Sequence, residues 1–154
     1  FNKDNNLLQK NILNINDLFV SPLEISDNNI PNGNSIYLLI CNKLKNITNE
    51  VQWNEKIETL SKSFNNYISY NFTQMFSYLR VLDICEENIT LTLHGRFQEN
   101  KNLKNQILKK FMGNISIIYK ESEEDFYAIL CRDKTCSNKL RNLDEIEQYI
   151  KSNF

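Results

Sequence analysis

Histidine, tryptophan, glycine and proline are scarce in this chain, and the shortages exclude several classes of site. Among 154 residues there are one histidine, one tryptophan, three glycines and two prolines. With His94 as its single imidazole the chain has no HExxH metal motif, and its few glycines form neither a Walker loop nor a Rossmann pattern. A nucleophile elbow is missing as well. We therefore expect no catalytic residue, metal or cofactor in this chain.

The chain also has no large excess of one charge and no long apolar run. The formal net charge is -1 and the isoelectric point is about 5.9, so nothing draws the whole chain to nucleic acid or an anionic membrane. Four lysines cluster without interleaved aromatic residues, which predicts no nucleic-acid partner: Lys101, Lys104, Lys109 and Lys110. No apolar run approaches the roughly 20 residues of a membrane-spanning helix. The chain starts at Phe1 without a signal-peptide pattern, so we expect a piece of a longer protein whose compartment it does not specify.

What the chain does contain is a turn-rich loop that leads into an apolar helix, within residues 27–45. Gly33 lies in the loop and can adopt backbone conformations that are closed to residues with a Cβ. Asn34 or Ser35 is predicted to cap the helix with its side-chain oxygen. Because the first turns of the helix, roughly residues 35–45, are apolar almost all round, we expect burial on every side.

Three further helices are predicted in the first half of the chain. Apolar residues recur at three-to-four spacing from about Val51 to Ile68, which indicates a helix with one buried face. Another helix is predicted to begin after Asn71, with Gln74 reaching back as in a capping box. A short helix over Asn5 to Leu13 precedes both. The short connections favour antiparallel neighbours.

From Asn88 the pattern changes to alternating apolar and polar residues, which is typical of a half-buried strand. A lysine-rich helix follows and is predicted to end at Gly113. The next strand, Ile115 to Tyr119, should pair in parallel with the first, because a strand, a helix and a strand in this order form a crossover. The third strand, Phe126 to Cys131, is predicted to lie antiparallel to the second.

A last helix, introduced by a capping box at Asn142 to Glu145, completes the predicted fold. Helices come first and a small sheet afterwards, which indicates the α+β class. We expect a helical segment over residues 1–86. Residues 87–154 should form a small α/β unit, with a three-stranded mixed sheet and two helices.

The loop before the apolar helix is the one place where polar side chains converge on a buried helix start. Helix N-termini favour anions and hydroxyl-rich ligands. The candidate ligand-binding residues are therefore Asp27, Gly33, Asn34 and Ser35. The alternative is that these residues only cap the helix, and the sequence leaves both interpretations open.

Two of the four cysteines form a second candidate site. Cys131 ends the third predicted strand and Cys136 follows five residues later, so the two are candidates for a disulfide or for redox chemistry. Two free thiols remain the other possibility. Cys41 and Cys85 lie on apolar helix surfaces and are expected to be inert core residues.

Three motifs, in this order, carry a resemblance to a known family. They are Asp27 followed by Pro31-Asn32-Gly33-Asn34-Ser35, the stretch Phe72 to Phe76, and Tyr127 to Cys131 followed by Cys136 and the cap Asn142 to Glu145. The order resembles the C-terminal part of the spermatogenesis-associated protein 20 family, whose first motif is Pro-Ser-Gly-Asn-Ser after an aspartate. This chain departs from the family at Asn32, lacks the proline that usually follows the second cysteine, and has a shortened loop at Glu121 to Asp125.

The resemblance implies a fold and two functions. Family members have an N-terminal thioredoxin-like domain and a six-hairpin α/α toroid similar to those of glycan-processing epimerases and glycosidases. By this resemblance residues 1–86 close such a toroid, and the chain is a structural C-terminal segment that is not catalytic by itself. The alternative is that it contributes Asp27 and Asn34 to a carbohydrate-processing pocket. The remainder of the parent protein or another chain should pack on the Ile36–Cys41 helix. The alternative is that the N-terminal segment around Leu7 to Val20 folds back over it.

Overall fold

The computed structural model describes residues 6–9, 25–96, 101–111, 115–132 and 135–153. The chain divides into two compact units, Phe1–Glu86 and Glu87–Phe154. Five α-helices and a four-stranded mixed sheet are present in the described residues, and three of the helices precede the sheet. The predicted α+β class is therefore confirmed. None of the described helices combines the length and apolar character needed to cross a bilayer.

In the first unit, helix α1 spans Gly33–Thr48 and begins two residues before the predicted start. The helix N-cap is Asn32, because its side-chain oxygen accepts a hydrogen bond from the Ser35 backbone N–H at 2.8 Å. The prediction that Asn34 or Ser35 would be the cap was wrong. Both residues lie inside the first turn, where they are buried.

Helix α1 ends at a left-handed residue, and helix α2 begins almost at once. Asn49 has a φ of 56° and its N–H donates to the Lys45 carbonyl, which closes the last turn. Helix α2, Val51–Asn71, starts two residues later, so the two helices form a hairpin.

The predicted capping box at Asn71 does not exist. Helix α2 continues through Asn71 and passes into a 3₁₀ turn at Phe72–Gln74. Helix α3 then spans Phe76–Glu87. The Asn71 side chain makes no capping hydrogen bond.

The core of the first unit joins the three helices to the segment at residues 6–9. Its central contact is a stacked pair, Phe64 of α2 and Tyr78 of α3, whose ring centroids are 4.2 Å apart. The buried residues around them are Leu7, Leu38, Cys41, Leu60, Met75 and Val81. Residues 6–9 are not helical, and the rest of the helix predicted over Asn5 to Leu13 lies almost entirely outside the described residues.

Helix α1 is not buried on every side by the described residues of this chain. Leu38 and Cys41 are fully buried, but Ile36 is 41% exposed and Ile40 is 47% exposed. Residues 36 and 40 are four apart and therefore lie on the same face of the helix. An apolar stripe of α1 thus faces outward, although the sequence shows no polar face there.

In the second unit, strand β1 (Ile89–Gly95) lies between two partners. It pairs in parallel with β2 (Ser116–Glu121), as the crossover predicts. It also pairs antiparallel with β3 (Tyr127–Arg132). Strand β3 therefore runs antiparallel to β2, as predicted, but its neighbour in the sheet is β1 and not β2. A two-residue strand β4 (Thr135–Cys136) extends the edge beyond β3, which gives four strands instead of three.

Two helices pack on this sheet. Helix α4 spans Lys101–Phe111 and helix α5 spans Leu143–Asn153. They contribute Ile107 and Ile146, both fully buried, to the core of the unit. The cap predicted at Asn142 is confirmed, because the Glu145 N–H donates to Asn142 Oδ1 at 2.8 Å. The Glu145 carboxylate reaches back to accept from the N–H of Arg141, the residue before the cap. The C-terminal residue predicted for α4, Gly113, lies outside the described residues.

Candidate functional site

The carboxylate of Asp27 accepts three hydrogen bonds from its own chain. Asp27 Oδ1 accepts from the backbone N–H of Asn32 at 2.9 Å and from Asn32 Nδ2 at 3.0 Å. Asp27 Oδ2 accepts from the backbone N–H of Ser77 at 2.6 Å. Ser77 lies in the first turn of α3, so Asp27 supplies an acceptor to a helix start 50 positions away in sequence.

These hydrogen bonds set the charge state of Asp27. Desolvation by burial raises the pKa of its carboxyl group, but the hydrogen bonds from Ser77 and Asn32 lower it, and the net effect is a pKa below the usual value of 3.8. The group is therefore ionised at neutral pH. A lowered pKa does not suit a general acid, which must be protonated at neutral pH.

The side chain of Asn34 is occupied by the N-terminal segment. Asn34 Oδ1 accepts from the Leu8 N–H at 2.6 Å, and Asn34 Nδ2 donates to the Leu8 carbonyl at 3.3 Å. The side-chain amide of Asn34 thus accepts from and donates to the backbone of the same residue, Leu8, as a residue of a neighbouring strand does. This pairing fixes the segment that carries Leu7, whose side chain is fully buried in the core.

Gly33 and Ser35 contribute less than the sequence suggests. Gly33 is the first residue of α1, and a Cβ added there would meet nothing within 4 Å. Gly33 also has no positive φ, so its backbone conformation is open to other residues, contrary to expectation. Ser35 is fully buried, and its hydroxyl has no hydrogen-bond partner among the described residues.

The structure thus brings the four candidate ligand-binding residues to one helix start, where most of their polar groups are already used. The Asp27 carboxylate and the Asn34 amide face inward onto backbone groups. Asn32, which the sequence did not single out, is the residue that connects Asp27 to α1. Its role could have been found from its position directly before a helix, where asparagine is a favoured cap.

The second pair of candidates lies at the edge of the sheet. Cys131 of β3 and Cys136 of β4 are directly opposite each other in the antiparallel register, with Cα atoms 4.0 Å apart, and they form a disulfide. Cys136 is exposed and Cys131 is partly exposed. Cys41 and Cys85 are free thiols; burial raises the pKa of both, and that of Cys85 to about 11.

A pocket that sequence reasoning missed lies at the carboxyl ends of β1 and β2. Its cavity volume is about 20 Å³, which is room for about one water molecule. Its lining includes an imidazole, three longer cationic side chains and two aromatic rings, namely His94, Arg96, Lys104, Lys120, Tyr119 and Phe126. The sequence separates these residues by up to 32 positions, and the crossover brings them together. The signal that was available is a basic residue next to the last residue of each parallel strand, Arg96 after β1 and Lys120 before Glu121 of β2.

The ring of His94 stacks on that of Tyr127 in the neighbouring strand, with centroids 4.5 Å apart and an angle of 7° between the ring planes. Burial lowers the pKa of His94, and the positive charge of Lys120 lowers it further, while Glu124 opposes them.

No group of three or more histidine, cysteine, aspartate or glutamate side chains that could hold a metal ion occurs within the described ranges. A search of protein-family models, curated proteins and solved structures finds no match to this chain.

Proposed function

We propose that this chain is the structural C-terminal segment of a larger protein of thioredoxin-like and α/α-toroid type, and that it is not catalytic by itself. The observation that carries this proposal is the use of the Asp27 carboxylate. This carboxylate accepts hydrogen bonds from Asn32 and Ser77, at the starts of α1 and α3. Such a carboxylate serves to hold two helix starts together.

The exposed stripe of α1 supports the proposal that this chain packs against the rest of a larger protein. Ile36 and Ile40 are four residues apart, and Ile47 continues the apolar exposure at 49%. Apolar side chains that share one helix face mark a contact surface more often than scattered ones do. In a toroid each helical hairpin is flanked by another hairpin. We therefore assign this stripe to a preceding helical hairpin of the parent protein.

The experiment starts from the coding sequence upstream of Phe1. If it encodes helical hairpins, the adjacent hairpin is expressed as a separate polypeptide and mixed with the chain, and complex formation is followed by sedimentation velocity. Ile40→Glu should abolish the complex. Val51→Glu is the matched control, because Val51 is 70% exposed and lies at the start of α2.

Two results would overturn the proposal. An upstream sequence without helical hairpins would refute the assignment to a toroid. Equal loss of binding in the Ile40 and Val51 variants would show that the exposed stripe of α1 is not the contact surface. Turnover of aminosugars or aryl glycosides by the purified chain, lost in Asp27→Asn, would instead support a carbohydrate-processing pocket.

A further inference from the structure

The disulfide between Cys131 and Cys136 lies at the outer edge of the sheet, on the protein surface. Among the described residues, strand β4 is the last strand on this side, and it is two residues long. Cys136 is exposed and Cys131 is partly exposed. Exposed disulfides are the ones that react with thiols in solution, whereas well-protected structural disulfides resist reduction.

Hydrogen bonds that do not involve sulfur hold the two cysteines opposite each other. The Ser137 N–H donates to the Leu130 carbonyl at 2.8 Å, and the Leu130 N–H donates to Ser137 Oγ at 3.0 Å. Further along, Ala128 and Leu140 exchange both backbone hydrogen bonds, at 2.7 and 2.9 Å. The segment that carries Cys136 is therefore attached to β3 at two other positions. We expect the two thiols to stay opposite each other after the disulfide is reduced.

As a structural cross-link this disulfide contributes little. Its cysteines are five positions apart in sequence. The stabilisation that a disulfide gains by restricting the unfolded chain grows with the length of the loop that it closes, so a loop this short yields a small gain. The buried core of the unit, which includes Ile107, Leu130 and Ile146, contains neither cysteine. The fold of the second unit therefore has no evident need for the bond.

We propose that Cys131 and Cys136 form a reversible thiol–disulfide exchange site, which reacts with small thiols and their disulfides. In the reducing direction, a thiolate attacks Sγ of Cys136, the more exposed of the two cysteines. A bond forms between Cys136 and the small thiol, the bond between the two cysteines breaks, and Cys131 leaves with the electron pair and takes a proton from water.

A second small thiolate completes the exchange. It attacks the sulfur of the small molecule that is bound to Cys136, and Cys136 leaves as a thiolate. Two small thiols are thereby oxidised to one disulfide, and their two electrons reduce the cysteine pair. Oxidation is the reverse reaction, with the small disulfide as the oxidant. This site belongs to Glu87–Phe154 and does not depend on the role of Asp27.

The experiment equilibrates the full 154-residue chain with mixtures of reduced and oxidised glutathione. Free thiols are trapped with N-ethylmaleimide, and peptide mass spectrometry gives the fraction of Cys131 and Cys136 that is reduced. We expect the pair to be reduced in a buffer poised like the cytosol and oxidised in one poised like the endoplasmic reticulum. The circular dichroism spectrum should be the same in both buffers.

Single-cysteine variants test which sulfur is attacked. Cys131→Ser leaves Cys136 as the reactive thiol, and Cys136→Ser leaves Cys131. With oxidised glutathione, the first variant should form its mixed disulfide about tenfold faster than the second, because Cys136 is the more exposed residue.

A serine variant tests whether the hydrogen bonds hold the thiols together. Ser137→Ala removes the side-chain acceptor of the Leu130 N–H. It should lower about fivefold the ratio of squared thiol to disulfide concentration at which half of the pair is reduced. Ser152→Ala is the matched control, because Ser152 is an exposed serine on α5 and should leave this ratio unchanged.

Four outcomes would overturn the proposal. A disulfide that stays intact in the most reducing glutathione buffer would be a structural cross-link. Loss of the circular dichroism signal on reduction would show that the fold requires the bond. Equal rates for the two single-cysteine variants would contradict attack at Cys136, and equal effects of Ser137→Ala and Ser152→Ala would show that the hydrogen bonds do not position the thiols.

Discussion

Replacing Asp27 by alanine should destabilise the first unit substantially, because it removes the acceptor of three hydrogen bonds at once. The lost bond to Ser77 is a helix-capping interaction of an ionised group, which costs about 1–2 kcal/mol. The two bonds to Asn32 add about 1 kcal/mol, because Asp27 is partly exposed and water replaces part of the loss. We expect the free energy of unfolding to fall by about 2–3 kcal/mol.

The assay is urea unfolding followed by tryptophan fluorescence. Trp53 is the only tryptophan and lies in α2, so its signal reports the first unit. With a denaturant slope of about 1–3 kcal/mol per molar, a loss of about 2–3 kcal/mol should move the midpoint down by about 0.7–3 M urea. Asp83→Ala is the matched control, since Asp83 is an exposed carboxylate on α3. This substitution should leave the free energy of unfolding unchanged within about 0.5 kcal/mol.

The pH dependence gives an independent check on the same group. The pKa of Asp27 is lower in the folded chain than its ordinary value of 3.8, so the ionised carboxylate stabilises the fold above that pH. This contribution should be lost as the pH falls below 3.8 and through the folded pKa. The difference between wild type and Asp27→Asn should therefore shrink in acid. A stability equal to wild type at pH 7 in both Asp27 variants would refute the structural role.

Two further predictions concern the second unit and the cysteines. Asn142→Ala should lower the free energy of unfolding by about 1 kcal/mol, measured by urea unfolding with circular dichroism, because it removes the acceptor for the Glu145 N–H; an unchanged midpoint would contradict this. After reduction of the disulfide in the folded chain, Cys131 and Cys136 should react with iodoacetamide before Cys41, whose thiol is buried and has a raised pKa. Peptide mass spectrometry in which Cys41 is labelled first would show the assignment wrong.

The order of helices and strands could be predicted from the sequence, because each element carries its own periodicity. The strand at Ile89, the parallel pairing of its neighbour and the capping box at Asn142 depend only on local pattern or on the handedness of crossovers. The pairing of β3 with β1 could not be predicted. Either neighbour would bury Ala128 and Leu130 on the same face of the sheet, so the pattern of β3 does not choose between them.

The candidate sites depended on contacts between distant residues, and these were not predictable. Asp27 was selected as a ligand-binding residue, and nothing in its surroundings in sequence pointed to Ser77 as its partner. His94 looked isolated because Tyr127 lies 33 positions later and becomes its neighbour only through the pairing of β1 with β3. The same holds for Lys104 and Lys120, which the crossover places on one pocket.

The hydrogen bond from Ser77 to Asp27 also bears on the rates of folding and unfolding. It joins residues 50 positions apart, and between them lies the α1–α2 hairpin, whose helices are neighbours in sequence. Closing a long loop costs entropy that local contacts do not, so the hairpin is expected to form first and this bond late. An interaction that forms after the transition state slows unfolding without speeding folding. Asp27 would then act chiefly on the lifetime of the folded first unit, and scarcely on how fast that unit folds.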